Sequence, residues 1–133
     1  MEIWEKTKAH ISSDDRFAKH NGMEVLEVRP GFAQTRLVVA EHHLNAVGVT
    51  HGAAVFGLAD LALALASNSH GPVALALNVN ISFMKATKLG DILTATASED
   101  NCTHRTGLYR IVVTDGSGEA VAVAEGLVFR KQE

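Results

Sequence analysis

Residues 52–68 read Gly-Ala-Ala-Val-Phe-Gly-Leu-Ala-Asp-Leu-Ala-Leu-Ala-Leu-Ala-Ser-Asn, with no proline and Asp60 as the one charge. A helix that is apolar on nearly every side has to be covered on nearly every side. At a rise of about 1.5 Å per residue this one is roughly 25 Å long. The uninterrupted apolar stretch falls short of the ~20 residues a membrane span takes. The rest of the chain therefore has to wrap this segment. Ser67-Asn68-Ser69-His70-Gly71-Pro72 supplies its stop.

The flanking sequence provides strands for that task. Met23–Val28 and Ala33–Val39 are separated by Arg29-Pro30-Gly31-Phe32, where Pro then Gly suits the centre of a type II turn. From Val73 the period becomes two. Val73, Leu75, Leu77, Val79, Ile81 and Phe83 are expected to face the core, and Ala74, Ala76, Asn78, Asn80 and Ser82 the other side. Ile92–Ser98, Leu108–Thr114 and Ala120–Arg130 are three further strands, the last two joined through Asp115-Gly116-Ser117-Gly118. Residues 1–20 are a helical lead-in with a break near Ser12-Ser13-Asp14-Asp15. The expected architecture is α+β, one antiparallel sheet around one buried helix, and a single domain over residues 1–133.

Composition agrees with that reading and narrows the function. The 133 residues are 47% hydrophobic and 20% charged, so a core is affordable without a metal or disulfide staple. The net charge of −3, with no basic stripe, argues against nucleic acid as a partner. Cys102 is the only cysteine, consistent with a reducing compartment. The first residues lack a signal-like apolar run. The expectation is a cytoplasmic protein that engages no membrane.

The residues with chemical potential cluster around the helix entry. Asn45-Ala-Val-Gly-Val-Thr-His51-Gly52 is a polar loop feeding the helix N-terminus, whose first N–H groups lack internal partners and carry the positive end of the dipole. Such groups can hold an oxygen that becomes anionic during reaction. Alternatively, His51-Gly52 is only a helix entry, since Gly is an accepted N-cap. Asp60 is either a nucleophile or general base facing a cleft, or a carboxylate that caps a loop or pairs with an Arg. Gly57, one turn before it, implies a close neighbour there. His42 and His43, expected to be exposed, and His51 match no familiar zinc spacing, so no metal is expected. Lys85, Lys88, Arg105 and Arg110 are candidate phosphate contacts, although scattered bases are usually just solvated. Phe56, Leu61 and Ala64 are candidates for shaping an acyl pocket.

The ordered set Asn45, Gly48, His51-Gly52, Leu58-Ala59-Asp60, Ser67-Asn68-Ser69, Gly71, Gly90-Asp91 and Thr94-Ala95-Thr96-Ala97, continued by Thr106-Gly107-Leu108-Tyr109 through Asp115, resembles the hotdog-fold thioesterases of the phenylacetate-pathway (PaaI-type) group. The resemblance spans about residues 22–130. It implies a curved antiparallel sheet wrapped around a long helix, and subunits joined at the sheet edge. It also implies hydrolysis of acyl-CoA between subunits, with no cofactor, by a homodimer or a homotetramer of two dimers. Carried over by position, Asp60 would be nucleophile or general base and the Gly52 N–H would polarise the thioester carbonyl. Asn45 would position water or substrate, and His51 would orient the loop.

Three positions depart from the pattern. Ala53 replaces a second Gly, Leu61 follows the carboxylate where relatives often carry Thr, and Ala76 stands where some carry Ser near the reacting centre. The acyl group implied is aryl-acetyl or medium-chain. Two other functions compete. A hotdog dehydratase would pair His51 with Asp60, but the Pro-rich loop of those enzymes is missing around His51. A non-catalytic acyl-CoA-binding module would have no need of Asp60.

Overall fold

The computed structural model describes residues 1–131; Gln132 and Glu133 lie outside the described residues. In chain order the elements are α1 (Ile3–Asp14), α2 (Arg16–His20), β1 (Glu24–Arg29), β2 (Phe32–Val38), a 3-10 turn at Glu41–His43, α3 (Gly52–Asn68), β3 (Ala74–Phe83), β4 (Ile92–Cys102), β5 (Thr106–Thr114) and β6 (Ala120–Arg130). The lead-in breaks at Asp15, whose carboxylate accepts the Ala18 N–H at 2.9 Å and caps α2. Between β1 and β2, Gly31 takes φ +71°, a conformation that glycine supplies without steric cost.

The six strands form one antiparallel sheet in the order β1-β2-β4-β5-β6-β3, leaving β1 and β3 as its edges. The sheet curves around α3 in the hotdog arrangement. Leu58, Leu63, Leu65 and Ala62 of the helix pack against Leu37, Leu93, Ile111, Val113 and Val128 of the strands, all essentially inaccessible. Small residues let the backbones come close. Ala33, Ala95 and Ala97 face the helix, and the intervening Thr94 and Thr96 face away. A Cβ on Gly126 would sit 2.6 Å from Cδ2 of Leu63. Thr35 adds a directed contact, its hydroxyl donating to the Leu58 carbonyl at 3.1 Å.

The expected phase of β3 is wrong in its first half. Leu75 and Leu77 are 63% and 64% exposed and Val73 is exposed as well, whereas Ala74 is buried. The cause is a bulge between Ala76 and Asn78. Before it, Ala74 and Ala76 pair with Arg130 and Val128 and share their inward face; after it, Val79 and Ile81 face inward. One extra residue reverses the alternation. The result is an edge strand with an open backbone and two exposed leucines. A second bulge, between Glu99 and Asn101, keeps β4 paired with β5 four residues past its expected end at Ser98.

Adding a methyl at the Gly126–Leu63 contact overpacks a closed core. Gly126→Ala is expected to lower unfolding free energy by about 1–3 kcal/mol. Combining it with Leu63→Ala should cost less than the two single changes together, because the second substitution vacates the space. Urea unfolding of the four proteins measures this, and strict additivity would contradict the contact.

Candidate active site

Helix α3 is not covered all round. One stripe, running through Gly52, Ala53, Phe56, Gly57 and Asp60, faces an apolar cleft of about 630 Å³ whose remaining walls are Phe17 of α2 and Phe83 of β3. Gly52, Phe56 and Asp60 share this face because they are spaced by four residues. Gly57 marks the close approach that its mid-helix position implied. A Cβ there would lie 2.9 Å from Phe17 Cε2 and 3.1 Å from Met23 Cε. Phe17 was not singled out in the sequence, and Phe83, expected to face the core, is 55% exposed and lines the cleft instead; Gly57 was the one local sign that a side chain lies over the helix.

Asp60 is the only charged group among the residues lining this cleft, and no described residue forms a hydrogen bond or ion pair with it. Its pKa is raised above the ordinary aspartate value, chiefly because apolar surroundings disfavour the charge and secondarily because Asp15 adds a like charge. A second, smaller cleft of about 170 Å³ continues from Asp60 past Ala64 and Ser67 to Ala74 and Ala76. The structure thus brings Asp60, Phe56 and Ala76 together. Leu61 does not join them. It is 4% exposed and packs in the core, because one residue along a helix rotates the side chain by about 100°.

At the mouth of α3, His51 is the N-cap. Its Nδ1 accepts the Ala53 N–H at 2.9 Å and its carbonyl accepts the Ala54 N–H at 2.9 Å. No described residue accepts the Gly52 N–H, which leaves it available at the positive end of the helix. With Nδ1 occupied as an acceptor, the neutral His51 ring carries its proton on Nε2, so its lone pair serves the cap. Asn45 organises the preceding loop. Its Oδ1 accepts from Val47 N at 3.1 Å and Val49 N at 3.2 Å, and Gly48 completes the turn with φ +84°. Asn45 does not line the cleft around Asp60 of its own chain.

The histidine pair is not an exposed pair. His43 is buried, its Nδ1 accepting from Ala40 N at 2.8 Å and its Nε2 facing the Asn21 carbonyl at 3.0 Å. Burial and the neighbouring His42 hold its pKa below the usual histidine value, so the ring is neutral and braces the loop. Among the described residues, His42, His43 and His51 form no metal-ligating group.

The candidate phosphate contacts divide. Lys85 is held by Asp115 at 2.6 Å and Glu119 at 3.3 Å, tying β3 to the β5–β6 turn. Arg110 pairs with Asp100 at 3.2 Å. Lys88 and Arg105 are exposed, and neither side chain pairs with a described residue. Lys85 lies against Val121 at one end of β6, and Arg105 against Arg130 at the other. That is on the order of 30 Å of strand, too far for one chain to bring Lys85 and Arg105 to one phosphate.

The raised pKa has a consequence for stability. The native state holds the Asp60 proton more tightly than the unfolded chain does. Ionising Asp60 therefore lowers native stability as pH rises from the ordinary aspartate value through the raised one. Asp60→Asn is expected to be more stable than wild type at neutral pH, with the difference vanishing at about pH 3, where both forms are neutral. Urea unfolding at the two pH values measures this. A pH-independent difference would contradict it.

Residues 47–122 match the family model of the thioesterase superfamily. A protein of Archaeoglobus fulgidus, provisionally named an esterase, is 41% identical over 129 residues, covering 97% of this chain and 84% of that one. The acyl-coenzyme A thioesterase PaaI of Escherichia coli is 34% identical over 123 residues, covering 92% and 87%. The E. coli PaaI structure, from the phenylacetic acid degradation operon, superposes with a TM-score of 0.95 over 98% of this chain and 94% of that chain, at 32% identity. A protein of Streptococcus pneumoniae described as a hypothetical thioesterase, solved with coenzyme A, superposes with a TM-score of 0.79 at 27% identity, over 84% of this chain and 90% of that one. Fold and likeness agree, and the chain belongs to the thioesterase superfamily as a hotdog-fold enzyme of the PaaI type.

Proposed function

We propose that the protein hydrolyses acyl-CoA thioesters carrying an apolar acyl group, aryl-acetyl or medium-chain, in a site built by two copies of the chain. The observation that carries this reading is Asp60: a carboxylate unpartnered among the described residues, its pKa raised, within an apolar cleft on the helix whose first N–H is open. A thioesterase needs both parts. Asp60 supplies the attack, either directly or by taking a proton from water. A helix N–H stabilises the oxygen that becomes negative when the carbonyl turns tetrahedral, before the CoA sulfur departs. Three phenylalanines, Phe17, Phe56 and Phe83, line the cleft and suit an aryl group, because ring–ring contacts add to simple burial. The name of the E. coli relative supports the same substrate class.

One chain does not suffice. Gly52 and Asp60 are eight residues apart on one straight helix, about 12 Å along its axis. Attack and oxyanion stabilisation require the N–H within about 3 Å of the carbonyl, and the carboxylate within about 3 Å of it or of the water that attacks it. The helix mouth acting on a given substrate therefore comes from a second copy. The open edge of β3, with its exposed Leu75 and Leu77, is the surface that would join the copies, since an unpaired apolar edge invites another strand. Asn45, turned away from its own chain's Asp60 cleft, is assigned to the neighbouring site, where its amide would hold water or substrate. Lys88 and Arg105, from different copies, are the proposed CoA phosphate contacts. His51 in its capping role leaves no basic nitrogen on Nδ1, which weighs against a dehydratase.

Asp60→Asn is expected to lower kcat by about 10²-fold or more while the protein remains folded. CoA release from a panel of acyl-CoAs, followed with a thiol-reactive dye, tests this; unchanged turnover would remove Asp60 from the chemistry. Binding of the panel by wild type without any CoA release would instead identify a binding module.

The reacting form requires an ionised Asp60, so activity should rise through its raised pKa as pH increases. Asp15→Asn removes the like charge and retains the α2 cap, since Asn caps as well as Asp. The acid limb of the kcat/KM profile is expected to move to lower pH in that variant. An unmoved limb would mean that another group controls it.

A further inference from the structure

A second group of reactive side chains lies beyond the C-terminal end of α3. His70 Nε2 meets Glu99 Oε2 at 2.7 Å, and ligand atoms of His70, Glu99 and Cys102 all fall within 4.8 Å of one another. Regular alternation would put Glu99 and Cys102, three residues apart, on opposite faces of β4. The bulge between Glu99 and Asn101 reverses the phase, so Glu99 pairs with Tyr109 and Cys102 with Gly107, on the same inward side. The third member is fixed by a separate knot. Ser69 Oγ accepts from Gly31 N at 2.8 Å and donates to the Ala66 carbonyl at 2.6 Å, which holds His70 over the end of β4.

We propose that His70, Glu99 and Cys102 form a site for one thiophilic divalent cation of the zinc or cobalt type. An imidazole, a carboxylate and a thiol are a recurrent donor mixture for such ions, and three protein ligands leave a fourth position for water. The His70–Glu99 contact is then the metal-free form of the site, in which a proton bridges two ligands. Binding replaces that hydrogen bond, the imidazole proton moving to Nδ1, and releases the Cys102 thiol proton to solvent. Glu99 is already oriented from behind: Tyr109 OH donates to its Oε2 at 2.5 Å, and Arg130 Nη2 donates to Tyr109 OH at 3.1 Å. Such outer contacts hold a ligating carboxylate in place. Gly107 makes room for them, because a Cβ there would lie 2.9 Å from Tyr109 Cε1 and 3.2 Å from Arg130 Nη2.

Arg130 sets the selectivity. Its guanidinium is chiefly engaged by the carbonyls of Thr103 at 3.2 Å and Thr106 at 2.7 Å, and stands 3.8 Å from Glu99. Its positive charge opposes a cation held by one carboxylate alone, and so excludes magnesium and calcium. A thiolate and an imidazole supply the missing affinity only for softer ions. The site would clamp the end of α3 to the β4–β5 hairpin.

Titration of tag-free, reduced, full-length protein with Co²⁺ tests the site independently of catalysis. Expected are a near-ultraviolet thiolate-to-cobalt band and intense visible bands that saturate at one ion per chain. Cys102→Ser should lose the near-ultraviolet band. Both Cys102→Ser and His70→Gln should bind Zn²⁺ about tenfold more weakly or worse in calorimetry. Cys102 is exposed, so its variant keeps the metal-free thermal midpoint while losing the rise that Zn²⁺ gives wild type. Absence of the thiolate band at saturation would overturn the proposal. So would Zn²⁺ affinity unchanged in His70→Gln, which would reduce the site to a lone thiol.

Discussion

Everything in this fold follows from the need to bury α3. Its leucines and alanines are too apolar for water and too few for a membrane, so a single sheet curves around them. Small side chains on β2 and β4, and Gly126 on β6, set how tightly it does so. One sheet of six strands covers most of the helix but leaves a stripe. Phe17 and Met23 close over that stripe at Gly57, and the remaining opening is the cleft that holds Asp60. The site is therefore the unfinished part of the core. Its apolar lining and the raised pKa of its carboxylate have the same origin.

The helix also explains why chemistry would need two chains. A helix end would offer an oxyanion donor, and its middle offers a carboxylate at an apolar cleft, but these are different places on a rigid rod. Only a second copy brings one helix's mouth to another's middle. The exposed leucines of β3, unexpected from alternation, lie on the edge where such a copy would pair. Packing, edge exposure and catalytic geometry thus make one demand. At the other end of α3, hydrogen bonds through Ser69, His70, Glu99, Tyr109 and Arg130 tie the helix end to the sheet.

Much of this was legible in the sequence because it depends on local pattern. The bounds of α3, the turn at Pro30-Gly31, the break at Asp15 and the neighbour over Gly57 all come from periodicity, caps and glycine placement. What was not legible depends on single-residue insertions and long-range contacts. A bulge leaves no compositional mark, so β3 was read in the wrong phase and β4 ended too early. His43 looks like any loop histidine until Asn21, far off in sequence, is seen to bond it. Leu61 follows Asp60 in sequence yet belongs to the core. Lys85 looks like a free base until Asp115 and Glu119 fold back onto it. Cys102 lies far in sequence from His42, His43 and His51, and only the fold brings it to His70.

The central claim is that Asp60 of one chain works with Gly52 of another. Co-expressed, differently tagged Asp60→Asn and Gly52→Val chains test it most directly, since a side chain at Gly52 meets Phe83 at the helix mouth. Each variant alone should be inactive. In mixed two-fold assemblies one site receives both defects and the other receives neither, so random mixing should restore about a quarter of wild-type activity. Mixed assemblies as inactive as either parent would show that both groups act within one chain, and would contradict the account.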